Sequence, residues 1–155
     1  MQMIKFDDNL GIHLFKAYFS IYKYLKKTFQ DNEMEGLNPT RMGILLALAD
    51  EDGLIMSKLG QKLFLEKSTM TGAIDRMEAE GLVERQTVET DRRALRIYLT
   101  PKGKKHTENL LRIIDRAYAD LRSDLAPEEI IAAVKVTKSI GQAAHELSTG
   151  NEKKT

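Results

Sequence analysis

Residues 54–99 read LIMSKLGQKLFLEKSTMTGAIDRMEAEGLVERQTVETDRRALRIYL, and the hydrophobic period changes once within them. Leu59 and Leu63, then Met70, Ile74 and Met77, recur at the three- and four-residue steps of helices. After Gly81 the pattern alternates as strands do, with Val83 on one flank and Leu95, Ile97 and Leu99 on the other, around a polar, arginine-bearing centre. Two short helices followed by a hairpin with a basic tip is the layout of a winged helix-turn-helix, which implies a partner in double-stranded DNA.

Within that stretch Ser57 is the expected cap of a short helix ending near Leu63, and Phe64-Leu65-Glu66 forms the turn. The next helix spans Lys67 to Glu80 and stops at Gly81, where a left-handed residue is needed. Its first turn gathers Lys67, Ser68, Thr69 and Thr71, with Gly72 beside them. Hydroxyls, a lysine and free backbone amides suit a helix whose N-terminus enters the major groove. Serine and threonine are also ordinary capping residues, so the set carries the reading rather than any one of them. The hairpin pairs Val83–Val88 with Ala94–Leu99 around a tip at Glu89–Arg93. Arg92 and Arg93 are placed to reach phosphate or the minor groove, and Asp91 to hold an arginine or the tip amides in place. Arg85 and Arg96 on the strands extend the basic patch. A charged hairpin tip alone is often only solvated.

Outward from this module, Asn38-Pro39 and Thr100-Pro101 each place a capping side chain before proline at a first helical position. The helices they open run to Asp50 and to about Leu125. Ala126-Pro127-Glu128-Glu129 restarts the chain into a last helix bearing Ile130, Ile131, Val134, Ile140, Ala144 and Leu147. Near the N-terminus, residues 4–30 carry a stripe through Ile4, Leu10, Leu14, Tyr18, Ile21 or Tyr22, Leu25 and Phe29. A helix of ~25 residues is about 38 Å long, more than a core of this size can cover. The expected fold is therefore mainly α with a small β-hairpin wing: a winged module at 39–100 between dimerisation segments at 1–38 and 101–155. The terminal helices should intertwine with a second copy, presenting two recognition helices to the half-sites of a palindrome.

Charge limits how such a module can bind. The chain carries 24 Lys+Arg against 23 Asp+Glu, and residues 39–100 hold nine basic and ten acidic side chains. A DNA face must come from local separation of charge, with modest and salt-sensitive affinity. A winged module serving as a protein–protein adaptor is the rival reading that this balance favours. The absence of cysteine excludes disulfides and thiolate metal sites, and His13, His106 and His145 lack metal-motif spacing. No HExxH, GxSxG or phosphate loop is present, so neither an enzyme nor a cofactor is expected. Without a signal-peptide pattern or an apolar run near ~20 residues, a cytoplasmic protein with no membrane partner is expected.

Three patterns carry a family resemblance. LEKSTMTGAIDRMEAEGLVER looks like a recognition helix leading into its wing, TDRRALRIYLTPKGK like the wing and the next long helix, and LAPEEI like the opening of the last helix. Together they resemble the MarR family of bacterial transcriptional regulators over essentially the whole chain. The resemblance implies a homodimer that reads a palindromic operator, usually as a repressor released by a small phenolic or lipophilic compound. It places Ser68, Thr69 and Thr71 at major-groove positions and Asp91 and Arg93 in the wing pair, with Arg92 beside them. It places an effector crevice among His13, Tyr18, Tyr22, Met42, Leu46 and the base of the fifth helix. Two departures stand out: Gly72 replaces a large polar residue common after the Ser/Thr cluster, and Val88-Glu89 replaces an acid-proline wing opening.

Overall fold

A computed structural model describes residues 6–150 other than 33, 35, 89 and 90, and the backbone alone at 88 and 91–93. Caps set most of the boundaries. Asn9 is extended and its side chain accepts from the Ile12 N–H at 3.2 Å, opening α1 (Leu10–Asp31). The N-terminal stripe therefore begins at Leu10 rather than residue 4: Phe6–Asp8 form a 3-10 turn, and Ile4 lies outside the described residues. Asn38 Oδ1 accepts from Arg41 N–H at 3.0 Å and Pro39 takes the first position of α2 (Pro39–Asp50), as expected.

The chain then forms β1 (Leu54–Ile55), α3 (Met56–Leu63), α4 (Lys67–Ala79), β2 (Val83–Val88), β3 (Asp91–Leu99), α5 (Pro101–Leu121) and α6 (Pro127–Ser148). The strands make an antiparallel sheet in the order β1-β3-β2, so the expected two-stranded wing has a third strand. Leu54 pairs with Ile97 on one side of β3, while Arg85 pairs with Ile97 on the other. Because β1 runs straight into α3, the N-cap is Ile55, without a side-chain hydrogen bond, and Ser57 lies inside the helix instead of capping it. The tip is also shorter than expected. Asp91 already pairs with Val88, and a register shift between Thr87 and Val88 absorbs the extra residues of β3. At the far end α5 stops at Leu121, four residues before the expected Leu125, and Leu125 N–H donates to Arg122 O at 3.0 Å in the connecting turn.

The fully buried side chains are Ile44, Leu45 and Leu48 of α2, Leu59 of α3, Met70, Ile74 and Met77 of α4, Val83 and Ile97 of the sheet, and Leu110 of α5. Leu45, Leu48, Leu59, Met70, Ile74, Met77, Val83 and Ile97 belong to the expected apolar pattern; Ile44 was not expected, and Met42, Leu46 and Leu63 are half-buried while Ala49 is exposed. The chain divides into two units, Met1–Ala117 and Tyr118–Thr155. In the first, α1 buries only Leu25 and Phe29. In the second, Glu129 closes the start of α6 by accepting from Ala126 N–H at 2.8 Å, and none of the residues of α6 is buried. Ile131 is 69% and Leu147 75% exposed.

One junction ties the module together. Gly81 ends α4 with φ +71°, and Leu82 N–H donates to Met77 O at 2.9 Å. Thr100 donates from its N–H to Leu82 O at 3.1 Å and from its hydroxyl to Gly81 O at 2.6 Å. The same hydroxyl caps α5 by accepting from Gly103 N–H at 3.0 Å. A Cβ at Gly103 would fall 1.9 Å from Leu82 O, so only glycine lets α5 cross there. Gly103→Ala is expected to destabilise the fold by about 1–3 kcal/mol, the range for overpacking a filled site. Urea unfolding reads the effect, and an unchanged midpoint would mean that α5 moves off Leu82 at no cost.

Candidate nucleic-acid interface

The recognition helix is held by a close helix crossing. Phe64 adopts the left-handed conformation (φ 53°), and Leu65 N–H donates to Gly60 O at 2.9 Å, turning the chain sharply from α3 to α4. A Cβ on Gly60 would meet Leu65 O at 3.3 Å and Met70 Cγ at 3.4 Å, so the small residue sets how closely α4 approaches. With Met70, Ala73, Ile74 and Met77 buried, the opposite face of α4 is left outward.

Lys67, Ser68 and Thr69 are exposed on the first turn. The N-cap, Glu66, makes no side-chain hydrogen bond to the first-turn amides, which are left available to an anion. Thr71 is half-buried and its hydroxyl donates to Lys67 O at 2.9 Å, so toward a partner it can only accept, through its oxygen lone pairs, or present its methyl group. The side chains of Asp91, Arg92 and Arg93 lie outside the described residues, although their backbone belongs to β3.

Arg85 and Arg96 do not extend the basic patch. Arg85 pairs through one guanidinium nitrogen with Asp75 and through the other with Glu78, while its N–H donates to Glu78 Oε1 at 3.2 Å. Arg96 donates to Gly53 O at 2.7 Å. Arg41 pairs with Glu80, and Lys62 with Asp50 at 2.7 Å. Lys58, Lys67 and Arg76 form no ion pair with a described residue. Lys58 and Arg76 were not singled out in the sequence, although Arg76 stands eight residues, about two turns, beyond Ser68 on α4. Arg85 thus offsets part of the negative charge of two acids on α4. Arg85→Ala is expected to weaken DNA binding roughly fivefold, the effect of about one unscreened unit charge near a phosphate. Anisotropy titration tests this, and adding Asp75→Asn and Glu78→Gln should recover part of the loss.

Behind α4, the Arg41–Glu80 pair lies within electrostatic range of His106 on α5. His106 Nε2 and Arg41 Nε are buried without a hydrogen-bond partner among the described residues. Burial first, then the Arg41 charge, holds the imidazole pKa below its ordinary value; Glu80 opposes and Lys102 adds to the fall. The unfolded chain therefore takes up this proton first as pH falls below about 6.5, and the contribution of neutral His106 to stability is lost through the lower folded pKa. The thermal midpoint is expected to drop between pH 7.5 and pH 5.5, and less steeply in His106→Asn. Parallel slopes in the two proteins would assign the drop to other groups.

The expected effector residues come from α1 and α2. His13 is exposed, with Nε2 2.7 Å from Asp7 O. Tyr18, 56% exposed, stacks on Tyr22 with ring centroids 6.2 Å apart. Met42 and Leu46 are half-buried one turn apart on α2. A cavity of about 440 Å³ lies instead between the end of α1 and the start of α2, lined by Phe29, Met34 and Leu37 with Lys26, Gln30 and Asn38 among its polar residues. It includes none of the five. Among the described residues no three His, Cys, Asp or Glu side chains are grouped to hold a metal ion, and no helix is long and apolar enough to cross a membrane.

A helix-turn-helix with an outward, polar second helix and an adjoining three-stranded wing defines a winged-helix DNA-binding protein. A sequence model of the MarR family matches residues 35–94. SarZ of Staphylococcus epidermidis is 33% identical over 103 residues, 66% of this chain and 69% of that one. The repressor MdtR of Bacillus subtilis is 26% identical over 132 residues, 85% of each chain. The structure of BpsR from Bordetella bronchiseptica shares the fold, with a TM-score of 0.79 at 22% identity over 90% of this chain and 98% of that one. The chain belongs to the MarR family: it is a DNA-binding transcriptional regulator and not an enzyme.

Proposed function

We propose that the protein is a homodimeric repressor that binds a palindromic operator and is released by a small aromatic or lipophilic effector. The observation that carries the reading is the first turn of α4, where uncapped amides coincide with exposed Lys67, Ser68 and Thr69. These residues and Thr71 enter the major groove, while Arg92 and Arg93 reach the backbone or minor groove from the wing, oriented by Asp91. Exposed apolar side chains on α6 and on the first two-thirds of α1 support a second copy as the partner of the terminal helices. Repression is the activity of the related MdtR. The effector would sit among His13, Tyr18, Tyr22, Met42 and Leu46, and DNA binding by BpsR, which shares the fold, is regulated by 6-hydroxynicotinic acid. Acting on a bacterial chromosome, the regulator would work in the cytoplasm.

The near-neutral winged segment, with Arg41 and Arg85 tied to acids, favours the adaptor as the second reading. One titration separates the two: fluorescence anisotropy against DNA from immediately upstream of the gene, at two salt concentrations, with and without salicylate. A repressor binds that duplex more tightly than scrambled DNA, and an adaptor binds both weakly. Arg93→Ala is expected to lower operator affinity roughly tenfold, the scale of one lost charge-assisted contact. Light scattering should still give the dimer mass; unchanged affinity would remove Arg93 from the interface.

A further inference from the structure

Nothing among the described residues explains Gly72. In a helix interior glycine is the least favourable residue after proline. Gly60 and Gly103 stand where a side chain would press on backbone, while Gly53 and Gly81 have φ of +76° and +71°. Gly72 has neither feature: a Cβ there would meet nothing within 4 Å, and its φ is not positive. It lies one turn after Ser68 and one before Arg76, on the side of α4 opposite the buried Met70, Ala73, Ile74 and Met77. The outward face of α4 therefore contains a notch at its second turn.

The neighbours of the notch are short. Ser68 and Thr69 reach only one atom beyond Cβ, and the Thr71 hydroxyl is turned back onto Lys67 O at 2.9 Å. Side chains of this length touch base edges only if the helix axis sits deep in a groove about 12 Å wide, which a helix with full side chains already fills.

We propose that Gly72 is a specificity-determining position: its missing side chain lets α4 seat against the floor of the major groove. There the second-turn backbone passes close to a base-pair edge, and Ser68, Thr71 and Arg76 come within reach of the bases. A longer residue would hold the helix off and leave only phosphate contacts. This inference rests on the reading of α4 as the DNA-contacting helix.

The test uses the full chain and duplexes that it selects from a random pool, comparing Gly72→Ala, Lys67→Ala and the parent by anisotropy and thermal unfolding. Gly72→Ala is expected to raise the thermal midpoint by about 2–4 °C, because alanine favours the helix. It should also lower affinity for the selected duplex roughly tenfold or more while leaving scrambled DNA unaffected. Equal or tighter binding by Gly72→Ala overturns the proposal, and so does a lowered midpoint, which would place the need for glycine inside the fold. Lys67→Ala distinguishes the two levels of failure. If it weakens binding while Gly72→Ala does not, the notch alone falls; if neither weakens binding, the placement of α4 on DNA falls with it.

Discussion

The carbonyl of Leu82 is the point on which the module depends. It follows the glycine that ends α4, precedes β2, accepts the N–H of Thr100 at the end of β3, and lies directly under Gly103 in the first turn of α5. Recognition helix, wing and the start of α5 are thereby fastened to one peptide unit. Each hydrogen bond there contributes about 1 kcal/mol, but the geometric consequence is larger. A backbone contact with no side chain between has no rotamer to absorb a displacement, so a tilt of α5 at this point carries α4 and β2 with it.

Electrostatics follow the same economy. A conventional basic face would add lysines and arginines; here several of the basic side chains are committed internally. Arg85 joins β2 to α4, Arg41 joins α2 to the end of α4, and Arg96 joins β3 to the loop before β1. The ion pairs are partly exposed and add little stability singly, but Arg85 ties the wing strand to α4 and offsets part of the charge of its acids. The remaining cations on α3 and α4 are few. With few free cations there, electrostatic affinity is modest, and sequence discrimination in general rests on base contacts and not on phosphate contacts.

Much of this was legible wherever the chemistry is local. Asn38-Pro39, Thr100-Pro101, Glu80-Gly81 and the apolar spacing of Met70, Ile74 and Met77 each act over four or fewer residues; the helix starts fell where they placed them, and α4 ends one residue early, with Glu80 as its C-cap. Strand β1 was hidden because two residues carry no period, and Leu54-Ile55 abuts a helical pattern that absorbs them. The roles of Arg85 and Arg96 were hidden for a different reason. Their partners lie seven, ten and 43 residues away, and an arginine on a strand looks the same in sequence whether it faces phosphate or a carboxylate. In the candidate site, the hydroxyl-rich turn was readable as composition, but the back-bonded Thr71 and the open space at Gly72 needed coordinates. The effector residues were carried by resemblance alone, and His13, exposed and bonded to Asp7 O, illustrates how little spacing says about a crevice formed by several elements.

The terminal helices bear on how the module is used. A helix of 22 residues with none buried, as α6 is, exposes Ile131, Val134, Val136, Ile140 and Leu147 to water. An isolated helix is only marginally stable in water, and most helical stability in proteins comes from packing an apolar face. Phe15, Tyr18 and Phe19 on α1 are exposed in the same way and contact one another along the helix. Covering such surfaces with a second copy would make association part of folding and would set the spacing of the two α4 helices before DNA is met. Affinity for a palindrome would then depend on how well that preset spacing matches the half-sites. A ligand that repacks those apolar faces would change the spacing, and with it DNA binding, without touching a single residue of α4.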